Sequence, residues 1–330
     1  MIAPEAARYI DAVRIALEEV MADDETVVLL GQDISGGGPF GATIGLAGRF
    51  GAARVRDTPI SEAAVAGMAV GAALLGKRPV LELMFIDFIT LALDQLVNHA
   101  AKLRYTSGGQ LGVPLTVRVQ AGAAGGFGAH HSQSLEAWLT HVPGLRVLAP
   151  STPSDARGML VQAIRSSDPT IVIEHRGLYW DRGLLDPEVR PATEAVVRRP
   201  GSDVTIVSWS KMVGTSLAAA ELLRIERIEA EVIDLRSLSP IDVATVAASV
   251  ARTGRLVVAA EAVAVGGLGG EVAFAVAERA GASLRAPVAR IGAPFAPVPA
   301  AIQLERAYVP GPRQVADAAR AVVAPGRVRT

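Results

Sequence analysis

The run AAVAGMAVGAALLG from Ala63 to Gly76 constrains the fold more than any other stretch of this chain. It is apolar on every face of a helix, and such a helix is expected inside the molecule. Pro59 and Ser61 just before it form a helix-start signature, and Glu62 stands between signature and run. A carboxylate at that mouth is poorly solvated. Desolvation favours its protonated form and the positive helix end favours its charged form, so the sequence leaves the balance open. Read alone, Glu62 need do no more than complement the helix dipole.

Around this run the chain alternates strand and helix patterns, which predicts an α/β fold built on parallel sheets. Strands are expected at 26–30, 78–83, 114–120, 146–149 and 170–174, and again at 204–209, 230–235, 256–260 and 288–291. In the second series, helices are expected at 213–223, 242–251, 271–278 and 314–323. The proline- and charge-rich stretch DRGLLDPEVRPATEAVVRRPGSD, 181–203, breaks the rhythm and places a linker there. A length of 330 residues suits two domains, each able to bury its own core.

Half of the residues are hydrophobic, consistent with helices packed on buried strands. The chain has no cysteine, which removes disulfides, thiolate nucleophiles and thiolate metal ligands. A net charge of −1 gives no electrostatic case for nucleic acid or an anionic membrane. The N-terminal MIAPEAARYIDAVRIALEEV reads as an amphipathic helix with interspersed charge and not as a secretory signal. The apolar run falls short of the roughly 20 residues that cross a bilayer. A cytoplasmic location is expected.

Two phosphate-binding patterns are present only in outline. Gly36, Gly38 and Gly41 satisfy G-x-G-x-x-G, but Gln32 to Ser35 separate them from the preceding strand and Pro39 lacks the amide that cradling would use. Gly71, Gly76 and Lys77 begin a P-loop pattern, but Arg78 stands where Ser or Thr would hold magnesium. The glycines at 266, 267, 269 and 270 lack the third glycine spacing and suit close packing.

Several longer motifs follow one another along the chain: GQD at Gly31, RVRDTPISEAAVAGMAVGAALLGKRPVLEL from Arg54, DFITLALDQLVNHAAKLRYTSGGQ from Asp87, AHHSQS from Ala129 and STPSDARGML from Ser151. Together they resemble the β subunit of the thiamine diphosphate-dependent first component of 2-oxo acid dehydrogenase complexes, a group that includes acetoin dehydrogenase β subunits. The resemblance implies two doubly wound α/β domains. A pyrimidine-binding domain at 1–185 is joined through a linker at 186–202 to a transketolase C-terminal-type domain at 203–330.

The same resemblance assigns roles to residues. Glu62 matches the glutamate that moves a proton at N1′ of the cofactor's pyrimidine ring, general acid-base catalysis with the cofactor as intermediary. Phe88 matches the aromatic stacked on that ring, and Gln32, Ile60, Ser61 and Met84 fall at pocket-lining positions. Gln32 stands where many relatives carry a glutamate. His131 matches a histidine of substrate positioning and proton transfer, chemistry open to an imidazole near neutral pH. Phe85 and His130 are further substrate-side candidates; a metal reading of the two adjacent histidines lacks a third ligand. His99, His141 and His175 are read as structural. A potassium ion held by backbone carbonyls is implied at Leu115, Ala163, Ile164, Ser166 and Asp168, against the plain alternative of a helix-to-strand turn.

The G-D-G motif that opens a magnesium and diphosphate site in such enzymes is missing. The resemblance therefore implies that a partner α subunit supplies magnesium and the diphosphate site in an α2β2 assembly. The expected function is activation of the cofactor for decarboxylation or cleavage of a 2-oxo acid or acetoin, with acyl transfer to a lipoyl-bearing acyltransferase. HRGLYWDRG from His175 leans towards acetoin-type relatives. Two alternatives stand beside this: a split, two-chain transketolase-like enzyme moving a ketol unit to an aldehyde, and a non-catalytic assembly subunit.

Overall fold

A computed structural model describes residues 6–186 and 190–323. The described residues of Met1–Ala121 and Trp138–Ala192 form one compact unit, and those of Gly122–Ala137 and Thr193–Thr330 form the other. Part of the expected linker, residues 187–189, lies outside the described residues, as do residues 1–5 of the N-terminal segment.

Beside a two-stranded antiparallel sheet of Ala6–Arg8 and Arg182–Leu184, the described first unit carries a main sheet of six strands in chain order: β1 (Val27–Gly31), β2 (Val55–Asp57), β3 (Arg78–Leu83), β4 (Thr116–Ala121), β5 (Arg146–Leu148) and β6 (Thr170–His175). They lie in the order β5-β6-β4-β3-β1-β2, and every pairing is parallel. Sequences such as VVLLG and TIVIEH are near-continuously apolar because parallel strands are covered on both faces. The helix Tyr9–Asp23 supplies Leu17 and Met21 to one core, and Pro153–Arg165 supplies Met159, Leu160 and Ile164. The latter helix starts cleanly, with Pro153 in its first turn and the Thr152 hydroxyl accepting from the Asp155 amide.

The second unit carries β7 (Val196–Arg199), β8 (Val204–Ser208), β9 (Ala230–Asp234), β10 (Leu256–Val263) and β11 (Ala289–Ala293), in the order β11-β10-β8-β9-β7. Only the β7–β9 pairing is antiparallel. Its core joins Val204 and Val257 of the sheet to Leu223 of the helix Lys211–Ile225 and Ala319 of Pro312–Val323. Of the four glycines read as close-packing, Gly267 is tightly hemmed in, a Cβ there lying 2.6 Å from the Val263 carbonyl oxygen, but Gly266 has open space around it and instead takes a φ of +67°.

Three local differences from the sequence reading have physical causes. β7 forms inside the proline- and charge-rich stretch because its backbone pairs with β9 and its Arg199 guanidinium donates to the Ala230 carbonyl at 2.6 Å. β2 was too short to show a period of two. The third concerns the apolar run, which is a helix, Glu62–Leu74, as expected, but not one enclosed by this chain. Val65, Ala66, Ala69, Val70 and Ala73 are buried, whereas Met68 is 49% and Leu75 just past the helix 87% exposed. This chain covers one face and leaves an apolar face open.

Candidate active site

In open parallel sheets the carboxyl ends of the strands form the ligand crevice. Here β3, β1 and β2 are neighbours, so three of the sequence-selected segments end side by side. Gln32 follows β1, Glu62 opens the helix after β2, and Met84 and Phe85 follow β3. Glu62 is the first helical residue and only 6% exposed. The Gln32 amide Nε2 donates to its Oε1 at 3.4 Å, a long and therefore weak hydrogen bond. Ser61 caps through its backbone alone: its carbonyl accepts from Val65, and its hydroxyl makes no cap bond. Ser61, Met84 and Phe88 are half-buried, while Ile60 is exposed on this chain.

Phe85 and Phe88 meet edge to face, with ring centroids 5.8 Å apart and planes at 87°. The Arg176 guanidinium lies 5.3 Å from the Phe85 centroid, within cation–π range. Phe85 is thus a buried ring in contact with both a cation and Phe88. The His175 Nδ1 accepts the Gly177 amide at 2.9 Å and closes the turn after β6.

Beneath this edge lies a buried charge cluster that motif reasoning passed over. Arg118 on β4 grips Glu174 on β6 with two bonds, at 2.8 and 2.9 Å, and Glu82 on β3 with one at 2.6 Å. The Tyr179 hydroxyl donates to Glu174 at 2.9 Å. Two carboxylates thus share one guanidinium, and Glu82 Oε1 has no hydrogen-bond partner. Burial pushes the Glu82 carboxyl up, the Arg118 charge opposes this, and the Glu174 charge adds to it; the net shift is upward. Burial works against the Arg118 charge, but Glu174 and Glu82 outweigh it and hold the guanidinium ionised. Burial likewise raises the Tyr179 phenol, helped by Glu174. The signal was visible as single charged residues inside VLEL, TVRVQ and IVIEH.

His130 and His131 belong to the second unit, on the Gly-rich loop 122–135. His130 is exposed and His131 half-buried, its amide bonded to the Gly128 carbonyl at 3.3 Å. A cavity of about 320 Å3 beside the loop is lined in part by Ser132, Gln133, Glu261 and Tyr308. Burial raises the Tyr308 phenol, and the nearby Glu261 charge adds to the shift.

The carbonyls of the five residues named for the implied potassium site each accept a hydrogen bond, which leaves each oxygen a second lone pair. Leu115 accepts from the Thr170 amide, Ala163 from the Ser166 amide, and Asp168 from the Thr170 hydroxyl. Ile164 and Ser166 both accept from Arg78 Nη1, at 3.0 and 2.9 Å. The Arg78 guanidinium thus donates to two of these five carbonyls.

The folds and strand-end clusters define a protein of the transketolase-like α/β class. Residues 5–181 match the family "Transketolase, pyrimidine binding domain", and residues 193–315 match "Transketolase, C-terminal domain". The acetoin:2,6-dichlorophenolindophenol oxidoreductase subunit beta of Cupriavidus necator is 43% identical over 330 residues, covering 96% of this chain and 97% of that one. The mitochondrial pyruvate dehydrogenase E1 component subunit beta-2 of Oryza sativa subsp. japonica is 45% identical over 318 residues, covering 94% and 84%. A solved structure titled as a split gene transketolase, inactive beta4 tetramer, shares the fold. Its TM-score is 0.74 at 24% identity, over 96% of this chain and 97% of that one. The chain belongs to the E1 β-subunit family of pyruvate and acetoin dehydrogenases, and is an enzyme subunit.

Proposed function

We propose that this β chain and an α subunit form one thiamine diphosphate site, in an α2β2 assembly acting on a 2-oxo acid or acetoin with acyl transfer to lipoamide. The observation that carries the reading is Glu62, a buried carboxylate at a strand-end helix start, in reach of Gln32 after β1 and accompanied by the Phe85–Phe88 pair after β3. Bound thiamine diphosphate supplies a carbon nucleophile whose formation depends on a proton at its pyrimidine ring.

Glu62 holds and moves that proton, as general acid-base catalysis requires of a group within hydrogen-bond reach. Gln32 gives the Glu62 carboxyl one weak hydrogen bond without adding charge. Phe88 offers a flat apolar face, held by Phe85, while Ser61, Met84 and Ile60 border the same edge. On the substrate side, His131 gives and takes protons near neutral pH, with His130 beside it.

Two features support a partner chain. The open apolar face at Met68 and Leu75 is of the kind that partner surfaces cover. The sequence also carries no G-D-G motif, so the α subunit holds magnesium and the diphosphate. The test is calorimetric titration of thiamine diphosphate and magnesium into this chain, the α chain and their mixture. Binding by the mixture alone is the expected result, whereas tight binding by this chain alone would overturn the shared site.

A further inference from the structure

The loop that bears His131 departs from regular structure, and its backbone amides find partners in acidic side chains of the same unit. Glu305, on the helix Ile302–Tyr308, accepts the Gly125 amide with one oxygen at 3.0 Å and the Gly126 amide with the other at 2.8 Å. Glu261, in β10, accepts the Ala123 amide at 2.6 Å. Both carboxylates are buried, at 6% and 7% exposure. The Gly122 amide bonds to the Gln133 carbonyl at 3.1 Å and closes the loop at its base.

Glycine permits this seat. Gly125, Gly126 and Gly128 all have φ between +73° and +93°. A Cβ on Gly126 would lie 2.7 Å from the Ala300 carbonyl oxygen and 2.9 Å from Ile302, and one on Gly128 would lie 3.2 Å from the Ala300 Cβ. The loop therefore rests directly on residues 300–302, the segment that leads into the Glu305 helix. From Gly128 one turn, closed by the His131 amide, reaches the imidazole. Charge-assisted bonds of this kind are short and directional, so they fix the height and direction of the loop as well as its presence.

We propose that Glu305, supported by Glu261, is a positioning residue for His131: its carboxylate clamps the loop and thereby sets where the imidazole stands. The inference rests on the reading of His131 as a catalytic residue. It goes further in giving the C-terminal unit a part in the chemistry, through a glutamate that no motif in the sequence singles out.

The test uses the assembled α–β enzyme with Glu305→Gln, His131→Ala and the double variant. Gln keeps the volume but places an NH2 group where one carboxylate oxygen accepts, so one loop amide loses its partner even if the bulkier loss in Glu305→Ala prevents folding. A misplacement of this sort is expected to lower kcat by about 10- to 100-fold with little change in the KM for the donor. In the His131→Ala background the same substitution should add little, because it acts through the missing imidazole. Amide hydrogen exchange should quicken at Gly125, Gly126 and His131 in Glu305→Gln. Equal losses in both backgrounds, or unchanged exchange at those amides, would overturn the clamp. Full activity of His131→Ala would refute the catalytic reading of His131 and, with it, this role of Glu305, while the exchange data would still judge the anchoring alone.

Discussion

Glu62 and His131, the two proposed proton-handling residues, are placed by contrasting means. Glu62 follows from regular structure: a strand ends, a helix begins, and the first helical side chain is buried with one long hydrogen bond from Gln32. His131 sits on a loop whose geometry depends on positive-φ glycines and on amides anchored to Glu261 and Glu305. A side chain at a strand–helix junction inherits its position from the sheet. One on a loop must be given its position by anchors elsewhere in the chain, because loops are otherwise the mobile part of a fold.

The contrast is open to direct attack, and the largest effect is expected at the junction. Glu62→Ala in the assembled enzyme should lower kcat by about 10²- to 10⁴-fold, the usual range for a lost general acid-base group. The helix itself should persist, with circular dichroism near wild type, since Ala is a good helix former. Retention of full activity would instead favour a subunit serving assembly.

On the loop side, Gly126→Ala brings a Cβ to 2.7 Å from a backbone oxygen at a φ of +73°. The strain should cost about 1–3 kcal/mol and shift the loop. Thermal denaturation should record the cost, and steady-state kinetics a loss of kcat smaller than that of Glu62→Ala. An equivalent glycine substitution at Gly45, whose surroundings are open, should cost only the backbone penalty and leave kcat unchanged.

The smallest effect concerns the charge cluster below the strand ends. Burial raises the Glu82 carboxyl, so ionising it costs more in the fold than in the unfolded chain. Stability from this source is fully present below the ordinary carboxylate pKa and is lost as pH rises through the elevated value. Glu82→Gln should remove that decline, giving a flatter plot of Tm against pH above the ordinary carboxylate range with the Arg118–Glu174 pair intact. An unchanged plot would show that Glu82 ionises without cost beside Arg118.

Much of this was readable from residues. The strands around VVLLG, RPVLEL and TIVIEH follow from apolar runs bounded by turns, and Glu62 stands out as a carboxylate ahead of a helix apolar on every face, though only the family resemblance gives it a catalytic role. β7 was not readable, because its residues VVRR join the sheet through pairing with β9, a partner more than 30 positions away. The open face of the Glu62 helix was missed for a related reason: hydropathy shows that a face should be covered, but not by which chain.

What the sequence by itself determined is the set of local commitments: the α/β rhythm, the helix that starts at Glu62, the glycines of the histidine loop, and the family to which these motifs belong. Tertiary structure alone decided which distant groups meet. Arg118 lies between Glu82 and Glu174 because β3, β4 and β6 are neighbours in the sheet, and Glu305 meets the amides of residues 125 and 126 from about 180 positions away. Local periodicity records the free energy of burying a face, whereas a hydrogen bond between remote segments leaves no periodic trace and exists only once the chain has folded.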